Sequence, residues 1–278
     1  MKTINFMAAL IVTLALGACA TTGQLQPVRT LAAESGKLND YPELSMRFRD
    51  TYQREKPYLS KLAEQRELLI DARRRAAFDD FINIHKSVVL YLHTLGELAG
   101  DQHYNLRNQI NSVGSGISAW PDSGIDQHHV DAYTRLGNLI ARTLASSAQN
   151  KAVRAMIKEG DPDFQSLVDA MIAVLNYYKK TSINERKIVL GLFEVEMPFI
   201  DSGTGKLLIA LAKVHYQTKM AEYEVIEGRF ALLDKNLKEI ARDHKNLLQN
   251  LQSNGDTEMT MPRKPALTLP IVLVADSD

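Results

Sequence analysis

Apolar positions along most of this chain recur in alternating steps of four and three. Ala77, Phe81, Ile84, Val88, Tyr91, Leu95 and Leu98 share one stripe, the pattern of a helix that packs one face against its neighbours. They predict a long helix from about Tyr58 to Leu98, closed by Gly100. A second stripe runs through Phe164, Leu167, Met171, Val174 and Tyr178, and continues at Ile188, Leu192 and Val195 until Met197-Pro198. The strongest pattern spans about Lys206 to Leu251, at Ile209, Ala212, Tyr216, Lys219, Tyr223, Ile226, Phe230, Leu233, Leu237, Ile240, His244, Leu247 and Leu251. Only Lys219 and His244 interrupt it. Its first half carries another apolar series, Leu207, Leu211, Val214, Ala221 and Val225, whereas Lys235, Arg242 and Gln249 take the outer positions after Gly228. That half of the helix is therefore expected to be covered on more sides, by the 41 to 55 helix or by the tail at Leu267 to Val274.

Proline and glycine punctuate these runs. Tyr41-Pro42-Glu43 opens a helix that ends near Lys56-Pro57, and a short helix is expected around 103 to 113. Loops follow at Gly114-Ser115-Gly116 and Trp120 to Gly124, then a helix from about Gln127 to Lys158. Gly160-Asp161-Pro162 reads as the sharpest boundary, a C-terminal stop, an N-cap carboxylate and a proline at the first helical position. Asp201 to Gly205 joins the last two helices. With connections this short, the chain predicts an all-α fold, an elongated antiparallel bundle of about four long helices with one or two short accessory helices, occupying residues 28–252. Such helices form a rod on the order of 60 Å long at 1.5 Å per residue. Residues 253–278 are expected to be a flexible tail. Its strand-like run, Leu267 to Val274, contains Pro270 and has no second strand to pair with, so it reads as a strap on the bundle.

The first 18 residues differ in kind. A single Lys2 precedes an apolar run from Ile4 to Leu16, too short to hold a stop-transfer helix, and this order is that of a secretory signal. Leu16-Gly17-Ala18-Cys19 follows and resembles the lipobox of bacterial lipoproteins. The resemblance implies that residues 1–18 are removed, that Cys19 becomes the acylated N-terminus, and that residues 19–27 form a polar tether. Cys19 is the one cysteine of the chain, so no internal disulfide is available. With Ala20 in place of Asp, the resemblance implies an outer-membrane lipoprotein on the periplasmic face, with the membrane as partner through lipidated Cys19. Cleavage after Ala20 as an ordinary signal peptide is the competing reading.

The chain has 33 basic and 33 acidic residues, which gives no surplus for displacing counterions and argues against nucleic acid as a partner. Arg73-Arg74-Arg75 and Lys179-Lys180, followed by Asp79-Asp80 and Glu185, read as solvated helix faces. The candidate chemistry thins out on inspection. Ser202 to Lys206 lacks the glycine, the hydroxyl residue and the preceding strand of a phosphate loop. No histidine has a glutamate three residues before it, as bundle di-iron sites require. His128 and His129, with Asp126 and Asp131, point about 100° apart on a helix and suit capping better than a metal. His85, His93 and His244 read as hydrogen-bonded, partly buried residues, Glu194 and Glu196 as tip residues, and Trp120 as closing the end of the core. The sequence therefore predicts no catalytic residue, no metal and no cofactor. It predicts a scaffold or adaptor for envelope proteins. A carrier of an apolar ligand lined by Met171, Tyr178, Tyr216 and Tyr223, and a membrane-active hairpin formed by 188–200 and 207–212, are the alternatives.

Overall fold

The computed structural model describes residues 25–101, 104, 106–145, 149–199 and 205–253. The predicted signal, Cys19 and the tail from 254 onward lie outside the described residues. Among the described residues eight α-helices follow in order: α1 (Gln26–Ala33), α2 (Tyr41–Arg49), α3 (Thr51–Glu55), α4 (Lys61–Leu98), α5 (Leu106–Ser112), α6 (Gln127–Leu144), α7 (Gln149–Glu196) and α8 (Lys206–Ser253). The fold is an all-α, elongated bundle. Among the described residues the only β-type pairing is an isolated bridge between Trp120 and Ile125.

Local features set both ends of α4 and the start of α6. The Ser60 side chain accepts the Ala63 N–H at the head of α4, and Gly100 turns the chain at its end with φ +87°, a conformation that glycine alone adopts without strain. Asp126 and His129 form a reciprocal capping box at the head of α6, so one of the two adjacent histidines caps a helix. The stripes then find one another. Tyr91 meets Phe164 at 4.8 Å between ring centroids and Phe81 meets Tyr178 at 6.1 Å, so α4 and α7 run antiparallel. Arg135 and Arg142 on α6 pair with Asp163 and Glu159, which makes α6 and α7 antiparallel as well. All seven predicted stripe residues of α4 are buried, as are Tyr223 to Leu247 along the stripe of α8.

Residues 25–58 wrap this frame. Leu25, Val28, Leu31, Leu38, Tyr41, Leu44 and Phe48 are all buried in the common core. The body thus begins earlier than expected: Gln26 and Pro27, read as the end of the tether, open α1, and Leu25 is 1% exposed. Proline at the first turn needs no N–H partner, so the helix can start there.

Three further expectations are corrected. The boundary at Gly160-Asp161-Pro162 does not exist, because α7 runs through it unbroken. Pro162 is exposed, and so is Lys158, whose carbonyl loses its helical partner. Gly160 is not a left-handed stop either. A Cβ there would lie 2.8 Å from the Tyr91 ring and 3.0 Å from Leu139, so it is a point of close helix approach. The helix expected to run to Lys158 instead ends at Leu144. The second correction concerns the far end of α7, where Leu192 and Val195 are exposed and Val189 and Leu190 are buried in their stead. Lastly, among the described residues nothing covers the second apolar series on α8: Leu207, Leu211, Val214 and Val225 are all exposed, so the 41 to 55 segment does not shield them, while the tail expected as the other cover lies outside the described residues.

Candidate functional site

A buried cluster of charges sits where α2 and α3 meet α7 and α8. Its centre is Glu185, 1% exposed, seven residues after Tyr178 on the stripe of α7. A carboxylate this deep requires partners for both oxygens. Arg54 supplies them in fork geometry, Nε to Oε1 and Nη2 to Oε2, both at 2.8 Å. The Arg47 Nη2 donates to Oε1 at 3.2 Å, and the Tyr223 hydroxyl donates to the same oxygen at 3.1 Å. Arg47 also reaches Glu222 at 2.8 Å and lies over the Tyr223 ring. Burial, then the charge of Glu185, push the Tyr223 phenol far up, so it remains a hydrogen-bond donor.

Arg74, 3% exposed, extends the cluster and is paired with Glu67. Next to it Glu55 is 2% exposed, with its Oε2 unpartnered. Burial raises the Glu55 carboxyl to about 7; Glu185 adds to the rise, and Arg74 and Arg54 oppose it. The solvated-face reading of Arg74 and Glu185 is thereby overturned, while Arg73, Lys179 and Lys180 do face solvent. A stripe position filled by a carboxylate was the available signal. The cluster encloses a space of only about 10 Å³ beside Tyr178 and Glu185. It is a clasp between helices, with no room for a ligand.

A second polar array lies toward the opposite end of the bundle. His244 is fully buried, with Nδ1 2.9 Å from Asp161 Oδ1 and Nε2 2.7 Å from the Tyr91 hydroxyl, which donates to the Met156 carbonyl. Gln165 donates to both Asp161 and the Ala241 carbonyl. The hydrogen bond from His244 holds the Asp161 carboxyl below its ordinary range. The order hydroxyl, imidazole, carboxylate is that of a catalytic relay, but its imidazole has no exposed surface, and the array ties α4, α7 and α8 together. His93 forms a similar bridge between Ser35 Oγ at 2.9 Å and Gln109 Oε1 at 2.7 Å, with Tyr104 stacked on it. Ser35 is itself buried, and burial lowers the His93 pKa. Residues 58 positions apart in sequence make this contact, so no local pattern announces it.

The exposed surface is distinctive at the hairpin end of α7 and α8. Phe199 is 82% exposed and Leu207 75%, with Leu192, Val195, Leu208 and Leu211 also exposed around them. A small cluster of Val189, Leu190 and Tyr223, flanked by Tyr58, Tyr216 and Met220, supports the base of this projection. Tyr216 donates to Glu194 at 2.9 Å, and the Tyr58 hydroxyl bonds His215 at 2.7 Å. Among the described residues the hairpin end is thus open. Exposed large apolar side chains gathered at one end of a bundle are a feature that interaction surfaces share.

The remaining predicted residues are also placed. Trp120 is half-buried on the flank of α4, where its Nε1 donates to Asp80 at 2.8 Å. Met171 and Tyr178 are sealed in the core, so they do not open a cavity with Tyr216 and Tyr223. An open hollow of about 760 Å³ beside α1 is lined by Gln26, Arg29, Thr30, Ala33, Glu34, Lys37, Gly100 and Asp101, four of them charged. Among the described residues no group of metal-ligating side chains assembles, and no helix is long and apolar enough to cross a membrane. Comparison with known proteins finds no matching family model, no similar curated protein and no similar solved structure.

Proposed function

We propose that this chain is a lipid-anchored protein of the bacterial outer membrane, on its periplasmic face, that acts without catalysis as a scaffold for other envelope proteins. The observation that carries the reading is the apolar hairpin end, set against the position of the chain's entry into the bundle. Pro27 and Leu31 on α1 lie beside Asn246, Leu247 and Asn250 near the end of α8. The hairpin begins at Lys206, about 41 residues away along that helix, or about 60 Å at 1.5 Å per residue. A chain tethered through Cys19 would therefore present its sticky surface at the opposite end of a rod from its own anchor, where a partner protein can reach it. The closed polar arrays favour rigid support over a reaction centre, and the fork-paired Glu185 fixes the base of the projecting arm.

Two measurements on the full chain test this. Wild-type protein should fractionate with the outer membrane and carry acyl chains on Cys19, and Cys19→Ser should be recovered in the soluble fraction. Retention of Cys19→Ser in the membrane would remove the anchor from the reading. Phe199→Asp combined with Leu208→Asp should abolish co-purification of envelope proteins at an unchanged melting temperature. Unchanged co-purification would remove the hairpin from it.

A further inference from the structure

The outer face of α8 carries an open coiled-coil seam. Leu207, Leu211, Val214, Thr218, Ala221, Val225, Gly228 and Leu232 follow one another in strict steps of four and three, and every one is exposed. At about 100° per residue, the centre of this seam lies about 150° around the helix from the buried stripe through Tyr223, Ile226 and Phe230. Nothing among the described residues packs on it. Beyond Leu232 the same face turns polar, at Lys235, Arg242 and Gln249.

We propose that the seam is the docking site of this chain's own apolar run, Leu267 to Val274, laid back along α8 in extended form. Pro262, Pro265 and Pro270 each fix φ near −65° and turn the preceding residue away from helix, so this stretch favours an extended backbone. At about 3.1–3.3 Å per extended residue, Leu267 lies at most about 43–46 Å from Ser253 and Val274 about 65–69 Å. Measured back along α8 at about 1.5 Å per residue, those distances fall near residues 223 and 208. The apolar run thus comes level with the apolar half of the seam. The polar stretch before it, with Asp256, Glu258, Arg263 and Lys264, lies along the polar half.

A second copy of the chain fits less well. The seam is about 38 Å long and on the order of 10 Å wide, or about 400 Å², against about 800 Å² per partner in a standard interface. Thr218 and Gly228 also leave two positions without an apolar knob. A segment tethered to Ser253 needs far less area, because its effective concentration is in the range of about a millimolar. The inference does not depend on the membrane anchor; it shares Leu207 and Leu211 with the hairpin surface proposed for envelope partners, and a seated tail leaves Leu192, Val195, Phe199 and Leu208 to them.

The test is photo-crosslinking from position 214 in the full-length protein, prepared as an equal mixture of ¹⁴N- and ¹⁵N-labelled chains. The expected product joins position 214 to a peptide containing Ile271, with both halves carrying the same isotope. Leu269→Asp combined with Val272→Asp should lower its yield at least about tenfold, the factor corresponding to 1.4 kcal/mol of lost contact, while the helical circular dichroism stays unchanged. Mixed-isotope products would assign the seam to a second copy and overturn the proposal. Products with other proteins alone, or no product with the tail, would overturn it equally.

Discussion

Burial keeps the Glu55 carboxyl protonated up to about pH 7, and this one residue should give the protein a visible pH dependence. In the unfolded chain its pKa returns to the ordinary 4.5. Between those values the folded state holds the proton and the unfolded state has released it, so stability falls as pH rises from about 4.5 to about 7 and levels off above. Glu55→Gln should flatten that decline and raise stability at pH 8 by on the order of 1–2 kcal/mol, a figure reduced for partial screening by water and the nearby arginines. Urea melts at pH 5 and pH 8 check it, and an unchanged pH slope in the variant would show that the carboxyl ionises normally. The legibility of single residues was uneven. His244 stood out as a break in an apolar stripe, and its burial with two partners followed. Glu185 sat equally on a stripe, but the neighbouring lysines made it look like part of a solvated face. Its partners, Arg47 and Arg54, are 138 and 131 residues away.

At the scale of the element, Gly160-Asp161-Pro162 is the instructive case. Each residue matches a terminus rule, yet each serves a different end within α7: Gly160 admits the Tyr91 ring, Asp161 binds His244, and Pro162 faces water. Two substitutions separate the readings. Pro162→Ala restores a donor to the interior of a helix and should stabilise, by at most about 3 kcal/mol. Gly160→Val forces a branched side chain into Tyr91 and Leu139 and should destabilise by about 1–3 kcal/mol. Melts followed by circular dichroism decide. If Pro162→Ala were the more damaging change, a helix boundary at this point would be restored.

The whole molecule is longer than a compact chain of its size. The 48 residues of α8 extend about 72 Å at 1.5 Å per residue, whereas a globular chain of 278 residues has a radius of gyration of only about 19 Å. Small-angle scattering of monomeric protein should give a longest dimension of at least about 70 Å. A distance distribution ending near about 50 Å would mean that α8 is folded back. The antiparallel arrangement also separates the α1 end from the hairpin, and the proposed function depends on that separation.

Helix identity and the facing stripes were determined by the sequence itself, since a repeat of three and four is a property of one helix and needs no neighbour to be read. The caps at Ser60, Gly100 and Asp126 belong to the same local order. Tertiary structure alone decided which signals were overridden and which surfaces stayed open. A stop signal yields when packing on both sides outweighs one lost hydrogen bond, as at Pro162. An apolar series is buried only if another element reaches it, and on the outer face of α8, from Leu207 to Leu232, none among the described residues does.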